Sequence, residues 1–462
     1  MTTMIRVVKG LAIGSVVLVV GAAGWLAVAP PTLLRVGTGY AAKIVCSNVF
    51  LANRDPDVVL QEDVQAPGNP LLRLLRLKVD RQAGTVTTYF LGAFAPSTAL
   101  YRSGLGCANV IDGHLDAARK VSLPQAAPVP AAISTAPWPD GMGPAEADPA
   151  SSRQALQSVF SNPDLMGPGM RAVLVIRNGK LIGEAYGKGF DATTPLLGWS
   201  MTKTVTAVLA GERIASGALS LDQDHLLPQW SGDERASIKL RDLLAMQSGL
   251  VFNEDYSDLT DVTRMLFLEP DQAGFVAARP LKAAPGTQFS YSTGSAVLVS
   301  RLWMNSFATQ QEALGYPKAA LFTPLGMTSA TLEADEHGTF SGGSYLYATP
   351  RDWAKLAQML LQDGVWNGKR LLPEGYVAMM ARPGKASHGL YTQGFMWRVG
   401  PGLTSNTDSG LPAETVWFQG HDGQTIAIVP SQRLIVLRMG LTPMRLGYKP
   451  QVLLKAVLEA TR

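Results

Sequence analysis

Gly198-Trp199-Ser200-Met201-Thr202-Lys203-Thr204-Val205-Thr206 is the stretch on which the reading of this chain turns. Apolar, helix-forming residues follow it, so the segment predicts a helix over Met201 to about Ser216 that Ser200 enters. Positions i and i+3 share one helix face, which lets the Lys203 amine reach the Ser200 hydroxyl. Serine is a weak nucleophile until a base takes its proton, and the first turn of a helix favours negative charge developing on Oγ. Of all the serines, only Ser200 has a lysine three positions later. Taken alone, the tetrapeptide reads first as an N-cap serine beside a solvated lysine, so its surroundings must decide.

Those surroundings read as a mixed α+β domain over residues 151–462. Arg171 to Ile176 predicts a strand, Asn178-Gly179 a tight turn, and Leu181 to Tyr186 the returning strand. Helices are expected near Leu240 to Met246 and Arg351 to Leu361. Thr415 to Gln419, Thr425 to Val429 and Leu434 to Met439 read as three short strands before a terminal helix over Val452 to Ala460. A hairpin at one end and three strands at the other predict one antiparallel sheet completed by both ends of the domain and flanked by helices. Residues 118–150 are rich in Pro and Ala and read as an extended connector. Residues 43–117 read as a small strand-rich unit. Leu72 to Val79 alternates apolar with basic, Arg81 to Gly84 can turn, and Thr85 to Leu91 is β-branched and aromatic.

Arg6 and Lys9 precede an uncharged run from Leu11 to Ala29, about the length that spans a hydrocarbon core. Residues 1–30 are therefore expected to be a membrane anchor, or a cleaved signal ending near Ala27-Val28-Ala29. Either way the basic flank puts the remainder outside the cytoplasm, in the periplasm and tied to the inner membrane if the segment is retained. In an exported chain, Cys46 and Cys107 suggest a disulfide, with two free buried thiols as the alternative. Neither has a metal-ligand spacing, so neither a zinc site nor a thiol enzyme is expected. The net charge of +4 is small for 462 residues and no basic run occurs, so nucleic acid is not an expected partner.

Two further segments give Ser200 its context: Phe289-Ser290-Tyr291-Ser292-Thr293-Gly294 and Gly420-His421-Asp422-Gly423-Gln424. In this order the three elements resemble the Ser-x-x-Lys, Tyr-x-Asn and Lys-Thr-Gly-like motifs of the serine β-lactamase and penicillin-binding-protein superfamily. The chain is most similar to the class C-like branch, which includes esterases, D-aminopeptidases and 6-aminohexanoate-dimer hydrolases. Leu240 to Leu250, Pro285-Gly286-Thr287 and Leu321 to Met327 extend the likeness over about residues 155 to 460. The resemblance implies a β-lactamase/transpeptidase-like α+β fold with a helical subdomain. It further implies two-step hydrolysis of a small amide or ester through an acyl-serine, without metal or organic cofactor. Ser200 would be the nucleophile, Lys203 and Tyr291 the proton relays, and the backbone N–H groups of Ser200 and Gln424 the oxyanion hole. A nearby Lys203 cation is expected to bring the Tyr291 phenol within reach of deprotonation.

Two departures shape the expected substrate. Thr293 stands where the family often has Asn, and His421 where penicillin-recognising enzymes often have Lys. Thr293, His421 and Gly423 are expected at the substrate, and efficient β-lactam hydrolysis is not. Tyr256, in the loop Asn253-Glu254-Asp255-Tyr256-Ser257-Asp258, is expected to meet a leaving amine, with the acidic residues either drawing a cationic substrate end or simply solvated. A cell-wall peptidase acting on D-amino-acid peptides and a silent binding protein stay open as alternatives. A Ser-His-Asp hydrolase is disfavoured because Gly-x-Ser-x-Gly is missing, and a dinucleotide site because no strand leads into a glycine loop.

Overall fold

The computed structural model describes residues 17–462 apart from 19, 67, 124–133 and 147–149. Among the described residues no helix is long and apolar enough to cross a membrane. The Leu11 to Ala29 run, on which the anchor expectation rests, lies partly outside them.

Helix α1 (Thr32–Leu51) was not legible as an element, and Lys43 lies in its middle rather than at the start of a strand-rich unit. The small residues Gly37, Gly39, Ala41 and Ala42 give it no clear stripe, yet they let it come close to its neighbours. A Cβ at Gly39 would lie 3.0 Å from the carbonyl oxygen of Phe267. On one side α1 packs against a four-stranded antiparallel sheet in sequential order, β1 (Leu75–Asp80), β2 (Thr85–Phe90), β3 (Phe94–Arg102) and β4 (Gly106–Val110). The expected hairpin is β1–β2, with Asp80 opposite Thr85. A disulfide joins Cys46 of α1 to Cys107 of β4.

This N-terminal unit is fused to the larger domain by buried charge. Glu333, fully buried, binds the Lys43 ammonium and accepts from Ser47 Oγ at 2.8 Å and Cys107 N at 2.6 Å. The Lys43 amine also sits 4.0 Å from the centre of the Tyr345 ring. Asp63 is gripped by Arg54 at 2.6 Å and by Arg171 of the larger domain at 2.7 Å. The described part of the connector, 134–146, is likewise held down: Trp138 is buried and its indole donates to Arg351 O at 3.2 Å.

In the larger domain, α2 (Ala150–Phe160) leads to the hairpin β5 (Met170–Arg177) and β6 (Lys180–Tyr186), turned at Asn178 and Gly179, both with positive φ. Next come α3 (Thr202–Ala215), α4 (Asp261–Leu268), α5 (Thr293–Asn305) and α6 (Pro350–Leu361). The chain closes with β7 (Val416–Gly420), β8 (Gln424–Val429), β9 (Leu434–Gly440) and α7 (Pro450–Ala460). The sheet is antiparallel in the order β7-β8-β9-β5-β6, so both ends of the domain complete it as expected. Alternation along β5 divides the core. Ala172, Leu174 and Ile176 face the larger core with Trp353 and Leu356 of α6, whereas Val173 and Val175 face Leu156 of α2 and Leu453 and Val457 of α7.

Removing one member of a buried ion pair strands the other, which costs about 3–5 kcal/mol. Lys43→Met is expected to lower the unfolding free energy by about that amount, read as a fall in denaturant midpoint; an unchanged midpoint would show that Glu333 does not need its cation.

Candidate active site

Ser200 lies in a short 3-10 turn, Trp199–Met201, that feeds directly into α3. Close packing shapes this entry. A Cβ on Gly198 would fall 2.1 Å from Trp353, and one on Gly420 would fall 2.3 Å from Gly198 O, so the end of β7 presses on the turn. Trp199 takes a φ of +48°, a region bulky side chains rarely enter, at a cost of order 1–3 kcal/mol. Its ring is braced by Tyr345 at 5.8 Å and His421 at 5.5 Å.

The i, i+3 spacing does what the sequence implied. Lys203 is fully buried, and its Nζ lies 2.8 Å from Ser200 Oγ, 2.9 Å from Thr293 Oγ1 and 2.8 Å from Gly343 O. One turn further along α3, Thr206 Oγ1 donates to Gly342 O at 2.8 Å, so the Gly342-Gly343 turn is pinned by the same face. Burial pushes the Lys203 amine down to about 8, against the pull of the Glu254 carboxylate, which favours its proton. Ser200 itself is only partly covered.

The Tyr291 ring stacks on Trp397 with centres 5.3 Å apart, and the Ser200 side chain is among the groups that act on its phenol. Lys203 Nζ stands 4.9 Å from the ring centre. The expectation that Lys203 would ease Tyr291 toward phenolate is corrected: burial, followed by the Glu254 charge, holds the phenol well above its ordinary range. Tyr291 is therefore neutral in the resting site.

Thr293, expected at the substrate, is fully buried behind Lys203. It accepts from Lys203 and donates to Glu254, whose other oxygen accepts from Thr293 N at 2.7 Å. Ser292 caps α5 by accepting from Ser295 N at 3.1 Å, so Glu254 sits at the positive end of a 13-residue helix. Burial raises Glu254, opposed first by Lys203 and then by the Thr293 donors. Glu254 thus differs from its neighbours: Asp255 and Asp258 are exposed, as a solvated loop predicts, while Glu254 turns inward. One inward carboxylate among several acidic residues carries no mark in sequence beyond its place two residues before Tyr256.

Tyr256 arches over the site, its ring stacked on His421 at 4.9 Å and edge-on to Trp199 at 6.5 Å. Its hydroxyl reaches toward Glu254. His421 keeps about two-fifths of its side chain in solvent, with Nε2 3.5 Å from Asp422 Oδ1. Gly423 is needed for its backbone: φ is +85°, and a Cβ would meet the Arg438 guanidinium at 2.9 Å. Gln424 opens β8, and its side-chain amide is consumed by Gly440, accepting from its N–H at 2.9 Å and donating to its carbonyl. Ser200, Lys203, Tyr291 and the Gly420–Gln424 segment therefore converge, as the three motifs required. Glu254, Gly343 and the strained Trp199 are the parts that sequence reasoning missed.

Comparison with known proteins agrees with this fold. The Beta-lactamase family model matches residues 163–440. A 6-aminohexanoate-dimer hydrolase from Paenarthrobacter ureafaciens is 22% identical over 288 residues, covering 56% of this chain and 72% of that protein. Among solved structures, SurE with D-Leu superposes with a TM-score of 0.51 at 20% identity, over 67% of this chain and 76% of that one. A class C β-lactamase in complex with cefoxitin gives 0.50 at 17% identity, over 67% of this chain and all of that one (100%). With the family model spanning more than half of the chain, from the first hairpin of the central sheet to its last strand, this protein belongs to the Beta-lactamase family.

Proposed function

We propose that this protein is a serine hydrolase that cleaves an amide or ester through an acyl-Ser200 intermediate. The observation that carries the reading is the 2.8 Å contact of a buried Lys203 amine with Ser200 Oγ, beside the Tyr291 ring, whose centre lies 4.9 Å from the same amine. Two partners determine how the amine is oriented. Gly343 O can only accept, and Thr293 Oγ1, having given its proton to Glu254, can only accept as well. A neutral Lys203 spends both N–H groups on them and turns its lone pair toward Ser200.

In acylation, Ser200 Oγ bonds to the substrate carbonyl carbon and its proton passes to Lys203. The tetrahedral oxyanion is held by the N–H groups of Ser200 and Gln424, each such donor being worth about 10²–10³ in rate. As the C–N or C–O bond breaks, Tyr291 gives its proton to the leaving nitrogen or oxygen and is reprotonated from Lys203. Water repeats the cycle on the acyl-enzyme, returning Ser200 and the free acid. The relative named a 6-aminohexanoate-dimer hydrolase supports a linear amide as one substrate to try. The Cys46–Cys107 disulfide supports an oxidising compartment reached through the N-terminal segment as signal or anchor.

A fluorophosphonate is expected to add once to the wild-type protein and not to Ser200→Ala, read by intact mass; an adduct that survives the substitution would sink the assignment. Lys203→Ala is expected to lower kcat/KM by about 10²–10⁴, with near-wild-type turnover removing it as the base.

Because the neutral amine is the working form, kcat/KM should climb as pH rises through about 8 and fall away below it. Glu254→Gln deletes the charge that favours the Lys203 proton, so the acidic limb should move to lower pH. The plateau should also drop, because a glutamine NH2 can return the Thr293 hydroxyl to donating. A limb that stays put or moves upward would separate Glu254 from Lys203.

A further inference from the structure

We propose that the groove between the N-terminal unit and the rings around Ser200 is a channel for an aliphatic acyl chain. The favoured substrates are then esters or amides of medium- to long-chain carboxylic acids. This rests on the hydrolase reading above and gives it a substrate class.

The groove encloses about 690 Å³, within the range that buries a small ligand. Its lining includes Trp199, Tyr256 and His421, three rings packed together beside the Ser200 turn. From there it runs out between α1 and the segment leading to β1, with Leu34 and Leu72 on its walls. Leu33 and Leu71, also in its lining, are left 45% and 50% exposed, large aliphatic side chains half in water. A chain of methylenes laid against them would remove that surface from solvent. The walls made by residues 33–75 fall outside the 163–440 match to the family model, so this half of the groove is contributed by the chain's own N-terminal unit.

A second cavity, about 440 Å³, has Glu254 of the Tyr256 loop in its lining and shares no lining residue with the groove. It is lined by Tyr291, the proposed donor to the leaving group, and by the ionisable Glu254 and Lys282. An acyl portion in the apolar groove and a leaving group beside Tyr291 place the scissile carbonyl at Ser200.

The test uses the full chain and a series of p-nitrophenyl esters from acetyl to decanoyl. Each added methylene buried in the groove should raise kcat/KM about two- to fourfold until the groove is full. Leu33→Asp and Leu71→Asp, at half-exposed positions that tolerate a charge, should each cut the decanoyl-to-acetyl ratio of kcat/KM by tenfold or more. A flat series, or a ratio within twofold of wild type in both variants, overturns the groove while leaving Ser200-dependent hydrolysis standing. Ester turnover that persists in Ser200→Ala would instead overturn the hydrolase reading. Calorimetric titration of decanoate into Ser200→Ala then decides the groove without turnover: binding that Leu71→Asp abolishes supports it, and decanoate binding no better than acetate refutes it.

Discussion

The burial of one amine organises this molecule. Lys203 is fully enclosed, and an ammonium there must be met by acceptors or lose its proton. The fold supplies acceptors from three separate places: the turn before α3, the first residue of α5 and the Gly342-Gly343 turn. Each in turn is held by something further out. Thr293 is fixed by Glu254, Gly342 by Thr206, and the Ser200 turn by Trp353 and the end of β7 against Gly198. Desolvation lowers the amine and Glu254 restrains the fall, leaving Lys203 near the pH at which it can both take and return a proton. A base stripped of either influence would be permanently charged or too weak to pull a proton from serine.

A comparable logic joins the N-terminal unit to the domain that carries the site. Glu333 spends its carboxylate on Lys43, Ser47 and the Cys107 amide, so the helix, the disulfide and the domain core share one buried anion. The arrangement costs desolvation, and an apolar replacement could be as stable. What it adds is position. Lys43 meets Glu333 in one rotational setting of α1, and that setting turns Leu34 and Tyr40 toward the groove and Cys46 toward β4. The outer wall of the groove is therefore as firmly placed as the sheet itself, which a flexible spacer could not achieve.

The motif residues and the central sheet were legible in sequence; much of what surrounds them was not. Ser200 and Lys203 could be paired because helical spacing is a local rule, and Tyr291 and the Gly420–Gln424 segment because their motifs are short and ordered. The hairpin at Asn178-Gly179 and the three closing strands followed from turn chemistry and alternation. Helix α1 was not legible, since a helix buried on most sides shows no amphipathic stripe and its glycines, Gly37 and Gly39, argue against it locally. Glu254 was hidden for a different reason. Its partner is a residue 39 positions away, and only the folded chain distinguishes it from the solvated Asp255 and Asp258.

Thr293 shows how far a single departure from a motif can be misjudged. Read as a replaced substrate contact, it suggested weakened amide recognition; in the fold it is fully buried and its hydroxyl bridges Lys203 and Glu254. A hydroxyl has one proton to give. With that proton committed to Glu254, the oxygen can only accept, and the Lys203 lone pair has nowhere to point except Ser200. In the proposed mechanism, the orientation of the base is thus decided by a carboxylate that never touches it, through a side chain that the motif alone assigned to the substrate.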